Sequence, residues 1–355
     1  MPQNWQDNYS ELKDFISAHP EVIIEKNHMR IPDTARPEFY GLFDALRSAF
    51  IQEKAPNIVR ECGALSRSYM EVEAKAISLL KLSEVSMMPG LGRFLHDPGD
   101  QLRRSIYDLL FDLLKGKIDT GLFEAVAARN INDSFTLMYR LGYEKWVSMS
   151  LIKLLEADEL LRVILPELSL YDAHKSGGII KEELPEPEKM SSIVFEFEPD
   201  TACNIADFIV HSPKTGKYVS TRSQFGEPFG VSTNVSEKRE WLPSESMPAL
   251  EAGLVLLCQG DNAYEVSLFG DSSRICRPDI VLVSQAFRGW YGREGLQKAQ
   301  AYHQGLKPLL GTFVISMDEV PEMKPEEQIE GISIITAGLD SAKLMPVVDA
   351  LAQPS

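Results

Sequence analysis

The sequence predicts an α+β protein: an all-helical N-terminal domain over residues 1–172, a linker at 173–190, and an α/β domain with a mixed sheet over 191–355. Three observations carry this expectation. From about Tyr9 to Leu170 apolar residues recur at helical spacing, and β-branched alternation is scarce. A polar, Gly- and Pro-bearing stretch then interrupts the pattern. Beyond it the apolar period shortens to two, the period of half-buried strands.

In the first half, the sharpest helix signal follows His96. Asp97 can accept the first free N–H groups, Pro98 occupies the position where a missing N–H costs nothing, and Asp100 lies in the positive first turn. Leu102, Ile106, Leu109, Leu110, Leu113 and Leu114 then share one face, which predicts a single helix ended by Gly116. The same reasoning places helices near Arg36 to Lys54, Asn57 to Leu80, Gly121 to Arg129, Ser134 to Leu141, Glu144 to Leu155 and Asp158 to Leu165. Their short connections suit a bundle or irregular helical array.

His174 to Lys189 (HKSGGIIKEELPEPEK) has a Gly pair, two prolines and six charged side chains beyond Lys175, the composition of an exposed linker. Strands follow at Ser192 to Glu198, Asn204 to His211 and Lys217 to Ser223, the last two flanking the turn sequence SPKTG. Ser244 to Gln259 reads as a helix, and Tyr264 to Phe269 and Ile275 to Ser284 as strands. A helix over Arg293 to Leu306, strands at Leu309 to Ser316 and Gly331 to Thr336, and a helix over Ser341 to Leu351 complete an α/β sandwich. Its most buried strand should hold Ile280 to Val283, which is apolar on both faces.

Composition narrows the function classes. The chain has 355 residues and a formal charge of −16, with 20 basic and 25 acidic side chains in residues 1–170 against 16 and 27 in 171–355. Such acidity speaks against broad binding to nucleic acid or anionic membrane, while leaving room for a local basic groove. Apolar runs such as Leu254 to Cys258 are far shorter than the roughly 20 residues a membrane helix needs. No secretory signal is evident at the N-terminus, so a cytoplasmic protein is expected. Cys62, Cys203, Cys258 and Cys276 stand far apart and read as buried reduced thiols.

Most catalytic signatures are missing. No two of the six histidines share metal-ligand spacing, no G-x-S-x-G elbow occurs, and the G-x-G at Gly90 and Gly92 is read as a loop that follows no strand. Glu198, Asp200 and Asp207 form an acidic group, but Asp207 is expected to pair with Arg222 or Lys217 across a hairpin. Trp290 and Tyr291, between glycines and arginines, either cap the sheet or offer a stacking loop. In the second case Arg288, Trp290, Arg293 and Lys298 are the candidate contacts for nucleic acid or a partner.

One stretch carries a resemblance. AYEVSLFGDSSRICRPDIVLVS, followed by a helix and the strand LLGTFVIS, resembles the PD-(D/E)xK, or restriction-endonuclease-like, superfamily, whose core runs helix, three strands, helix, strand. The similarity covers about Ser244 to Met317. It implies a nuclease-like fold, with Pro278 and Asp279 as the Pro-Asp pair and Glu265 or Glu251 as a second acid. By the same resemblance Glu265 and Asp279 would hold Mg²⁺, and the metal would activate water and stabilise charge beside a scissile phosphate. The family's acid-x-Lys triplet is replaced here by QAFRGWYGREG, which leaves Lys298 as a displaced lysine. For Asp279 the competing expectation is a strand-entry residue whose carboxylate is satisfied by local N–H groups or by Arg274 or Arg277.

The predicted function is therefore a non-catalytic or decayed nuclease-like protein acting through protein interactions in a DNA-processing or defence system. The alternatives are an active Mg²⁺-dependent nuclease and an interaction module unrelated to nucleic acid.

Overall fold

A computed structural model describes residues 4–26, 28–164, 181–183, 185–195, 204–223, 232–234, 239–243, 253–270, 274–287, 290–291, 293–320 and 329–353. The protein is mixed α+β with an eight-stranded mixed sheet. It divides into two compact units, one formed by Met1–Arg67 with Pro89–Gly142 and the other by Ser68–Met88 with Tyr143–Ser355. The division therefore differs from the single boundary near 172 that composition suggests.

The first unit draws on α1 (Trp5–Ala18), β1 (Ile23–Ile24) and β2 (Met29–Arg30), α2 (Arg36–Lys54), the start of α3 (Pro56–Leu80), α4 (Pro89–His96), α5 (Pro98–Arg104), α6 (Tyr107–Leu114) and most of α7 (Thr120–Leu154). Its core is aromatic. Trp5 packs edge-on against Phe50 at 5.5 Å and lies 5.6 Å from Phe123, while Phe43 meets Phe39 at 5.8 Å and Phe111 at 4.6 Å. Such pairs add to the area they bury because ring edges and faces carry opposite partial charge.

Three local expectations need correction here. The helix after His96 is two helices, because Ser105 Oγ turns back to donate to the Leu102 carbonyl at 2.7 Å and closes α5. Its start and stop are as expected: Asp97 accepts from Asp100 N at 2.9 Å. Gly116, at φ +65°, ends α6 while Lys117 N donates to Asp112 O and Gly116 N to Leu113 O, a Schellman closure. The three helices expected between Gly121 and Leu155 are the single helix α7. Gly142 is not a break in it. A Cβ there would lie 3.0 Å from Leu95 Cδ2 and 3.3 Å from Leu65 Cδ2, so the glycine serves close packing. The Gly90–Gly92 segment, read as a loop without a preceding strand, follows β3 (Glu84–Met87) and opens α4.

The second unit is built on the large sheet. Its strands are β4 (Glu159–Arg162), β6 (Glu188–Lys189), β9 (Phe208–Ser212), β10 (Lys217–Arg222), β13 (Leu254–Gly260), β16 (Ile280–Gln285), β17 (Gly311–Ser316) and β18 (Ile332–Thr336). They lie in the order β18-β17-β16-β13-β10-β9-β4-β6. Neighbours are antiparallel from β6 through to β16, and β16, β17 and β18 run parallel. The parallel step from β16 to β17 uses α8 (Arg293–Leu306) as its crossover, as parallel pairs require.

Two small pairs accompany it. β3 joins β7 (Ser192–Phe195), and β5 (Lys181–Glu183) joins β11 (Ser232–Asn234). A four-stranded antiparallel sheet is formed by β8 (Asn204–Ile205), β12 (Trp241–Pro243), β14 (Leu268–Gly270) and β15 (Arg274–Cys276). The chain ends in α9 (Met345–Leu351).

Two expected helices are strands. Asp158 to Leu165 contributes β4, pinned where Asp158 N donates to His211 O at 3.2 Å and its carboxylate meets His211 Nδ1 at 2.8 Å. The later part of Ser244 to Gln259 is β13; residues 244–252 lie outside the described set. Leu254 to Cys258 is apolar on both faces, and such a run carries no period that separates strand from helix; Glu159–Arg162, two buried leucines between two charged residues, is too short to show one. Tyr264 to Phe269 divides into a 3-10 turn, Tyr264–Val266, and β14, and Ile275 to Ser284 breaks at Arg277 and Pro278 into β15 and β16. Of the predicted linker, residues 173–180 and 184 lie outside the described set, while Glu188–Lys189 pairs with β4.

Ile280, Val281 and Leu282 are fully buried, as the sequence predicts for the central strand. On one face of the sheet, Ile209, Leu254, Leu256, Cys258, Val281 and Val283 pack with Ala299, Tyr302 and Leu306 of α8. Towards the end of α7, Glu144 and Leu155 bond to the strand system, through Gly253 N at 2.9 Å and Ser212 Oγ at 2.6 Å. Among the described residues no helix is long and apolar enough to cross a membrane.

Replacing Gly142 by Leu separates packing from propensity. Overpacking against Leu65 and Leu95 should lower stability by roughly 1–3 kcal/mol in urea denaturation, whereas helix propensity alone would raise it.

Candidate functional site

Asp279 stands immediately before β16, where the Pro278 turn delivers the chain into the sheet. It is 5% exposed. Its Oδ2 accepts from Gln259 N at 2.7 Å and from Arg239 Nη2 at 2.6 Å. Arg239 also donates through Nη1 to the Gln259 carbonyl at 2.9 Å. One guanidinium thus bridges the carboxylate and the strand β13 beside it. The partner is Arg239, not Arg274 or Arg277: Arg277 instead pairs with Glu240 at 2.5 Å and bonds the Lys307 carbonyl.

Two thiols complete this cluster. Cys258 lies beside Gln259 on β13, and Cys276, at the end of β15, donates from Sγ to the Arg277 carbonyl at 3.6 Å. Burial pushes the Cys258 thiol well up. The Cys276 thiol is lowered, first by its interaction with Cys258 and then by the Arg239 charge. The expectation of buried reduced thiols holds for Cys62, Cys258 and Cys276; Cys203 lies outside the described residues.

The other predicted site residues fall as follows. Glu265 lies on the 3-10 turn after β13, not on a strand, and is half-buried. A Cβ at Gly260 would stand 3.4 Å from its Oε2, so the carboxylate lies over the end of β13. Lys298 is on α8 and exposed to solvent. Among the described residues no three His, Cys, Asp or Glu side chains form a group that could hold a metal ion. The donors present at Asp279 do not fit Mg²⁺, because the inner oxygen already serves a cation and a backbone N–H, and Mg²⁺ demands several free oxygen ligands in octahedral array. Glu251, Glu198 and Asp200 lie outside the described residues.

Trp290 closes the end of the sheet. Its Nε1 donates to Ser316 Oγ at 2.9 Å, the ring packs on the core beside α8, and Tyr291 meets it edge-on at 5.7 Å. An indole bound this way is spent on packing and is not presented for stacking. Arg288, and the side chain of Arg293, lie outside the described set.

A second polar network, unforeseen in most of its members, lies deeper. Asp207 pairs with Arg222 at 3.0 Å, as the hairpin pattern predicts, and its Oδ2 accepts from both the N–H and the hydroxyl of Ser223 at 2.7 Å. Ser223 Oγ in turn accepts from Lys145 Nζ at 3.2 Å, and Lys145 is held by Glu144 at 2.7 Å. Glu144 and Lys145 are each 2% exposed. Lys145 also lies 4.8 Å over the Phe195 ring. Lys145 Nζ donates both to Glu144 and to Ser223 Oγ, so the network ties α7 to the strands.

Sequence inspection overlooked Arg239, Glu144 and Lys145. Arg239 sits in a polar stretch that gives no sign of burial, while Glu144 and Lys145 stand between Tyr143 and Trp146, an apolar context that could have marked them as buried. Searches of protein-family models, curated proteins and solved structures found no match to this chain.

The Asp279–Arg239 pair makes a quantitative prediction. Asp279→Leu alone strands a buried guanidinium and should cost about 3–5 kcal/mol in chemical denaturation, while Arg239→Met with Asp279→Leu should recover most of that loss. A double variant no better than the single one would show that the two side chains do not act as a pair.

Proposed function

We propose that the C-terminal unit is a nuclease-like scaffold without metal-dependent chemistry, and that the chain acts by binding another protein in a DNA-processing or defence system. The observation that supports this most is the state of Asp279. The carboxylate at the family's metal-ligand position is neutralised by Arg239 and fixed by Gln259 N. To ligate Mg²⁺ it would have to release a buried guanidinium, which would then stand unpaired, at a cost of about 3–5 kcal/mol.

Strand succession supports the nuclease-like part of the reading. β10, β13 and β16 form an antiparallel meander, α8 follows, and β17 returns parallel to β16. Three strands, a helix and a strand follow the later part of the core order implied by the resemblance, although the segment expected to supply its leading helix contributes β13 instead and the Pro-Asp pair falls on the third strand rather than the second. An arrangement of strands does not carry activity with it. The net charge of −16 favours a basic protein partner over nucleic acid.

Purified full-length protein incubated with Mg²⁺ or Mn²⁺ should leave supercoiled DNA, single-stranded DNA and RNA intact, and calorimetric titration with Mn²⁺ should show no binding. Cleavage abolished by Asp279→Ala would overturn the non-catalytic reading. Isolation from the native host should recover a stoichiometric protein partner, and a lone species would remove the interaction part.

A further inference from the structure

The helical unit contains a cleft that the function proposed above does not use. It has a volume of about 280 Å³ and lies between α2, α3 and α5, near the lower bound of roughly 300 Å³ for small-molecule sites. Its floor is apolar. Ile51, Cys62 and Leu102 line it and are themselves buried.

Two cations stand at its walls, Arg67 on α3 and Arg103 on α5. Each lies against a glycine. A Cβ at Gly63 would be 3.4 Å from Arg67 Nη1, and one at Gly99 would be 3.5 Å from Arg103 Nη1. The missing side chains let both guanidinium groups approach the helix backbone and leave the space between them open.

These charges are poorly neutralised. Among the described residues Arg67 has no ion pair or hydrogen bond from its side chain. Arg103 Nη2 is 3.8 Å from Asp100 Oδ1, whereas Asp100 engages Arg104 more closely, at 2.8 Å. Asp97, on the same side, is occupied in capping Asp100 N. A planar guanidinium presents paired N–H donors that match the oxygens of a carboxylate or phosphate. Ser48 and Gln52 add neutral hydrogen-bonding groups to the lining.

We infer that this cleft binds a small amphipathic anion, its carboxylate or phosphate head held by Arg67 and Arg103 and its short apolar body lying over Ile51 and Leu102. Charge selects the ligand and volume limits its length.

Titration of the full chain with hexanoate, hexyl phosphate and hexanol, followed by calorimetry, tests this. At least one of the two anions should bind about tenfold more tightly than hexanol, the gain expected of one hydrogen bond to a charged group. The tighter of the two identifies the head. Arg67→Gln, a change at an exposed position, should weaken the anion by about tenfold and leave hexanol unaffected. Gly63→Leu, which fills the cleft, should abolish binding of all three. Equal binding of hexanol and both anions, no binding of any probe, or an Arg67→Gln variant that binds like the parent would each overturn the inference.

Discussion

Everything in the second unit depends on two adjacent strands that are apolar on both faces. Leu254 to Cys258 and Ile280 to Val283 are almost wholly removed from water, and each such side chain contributes roughly 1.5–3 kcal/mol by burial. A strand pair of this kind is stable only at the middle of a sheet covered on both sides. That requirement places α8 across one face and sets β16 against β17 in parallel, since the connecting helix must cross over the sheet to begin the next strand.

Central strands have polar ends, and burial makes those ends expensive. Asp279 enters the sheet as a charge in a low-dielectric place, and the fold answers with an arginine and a backbone N–H. At the far end of β13, Gly253 N is taken by Glu144, whose charge is balanced by Lys145, which reaches on to Ser223. Both arrangements follow one rule, that a buried polar group must find a partner. The same rule works against metal chemistry: a carboxylate used to finish a strand end is no longer available as a ligand.

The first unit solves a different problem with the same economy of parts. Aromatic rings from α1, α2, α6 and α7 fill its interior, and glycine is used where helices come closest, as at Gly142. Where Gly63 and Gly99 leave wall space unfilled, the result is a cleft with cations beside it.

The sequence by itself determined the mixed α+β class, the helix start capped by Asp97, the glycine end of α6 at Gly116, the helix Arg293–Leu306, the Asp207–Arg222 pair and the burial of Ile280 to Val283. These are written in local patterns: caps, spacing, hairpin turns and apolar runs. Only the tertiary structure decided that Glu159–Arg162 and Leu254–Gly260 are strands, because the first run is too short to show a period and the second, apolar on both faces over Leu254 to Cys258, has none of its own. It alone brought Arg239 to Asp279, set Trp290 against Ser316, and left Lys298 in solvent. Charge partners separated by 40 residues are chosen by chain topology and by the cost of burying a lone charge, and neither is visible in a stretch of sequence.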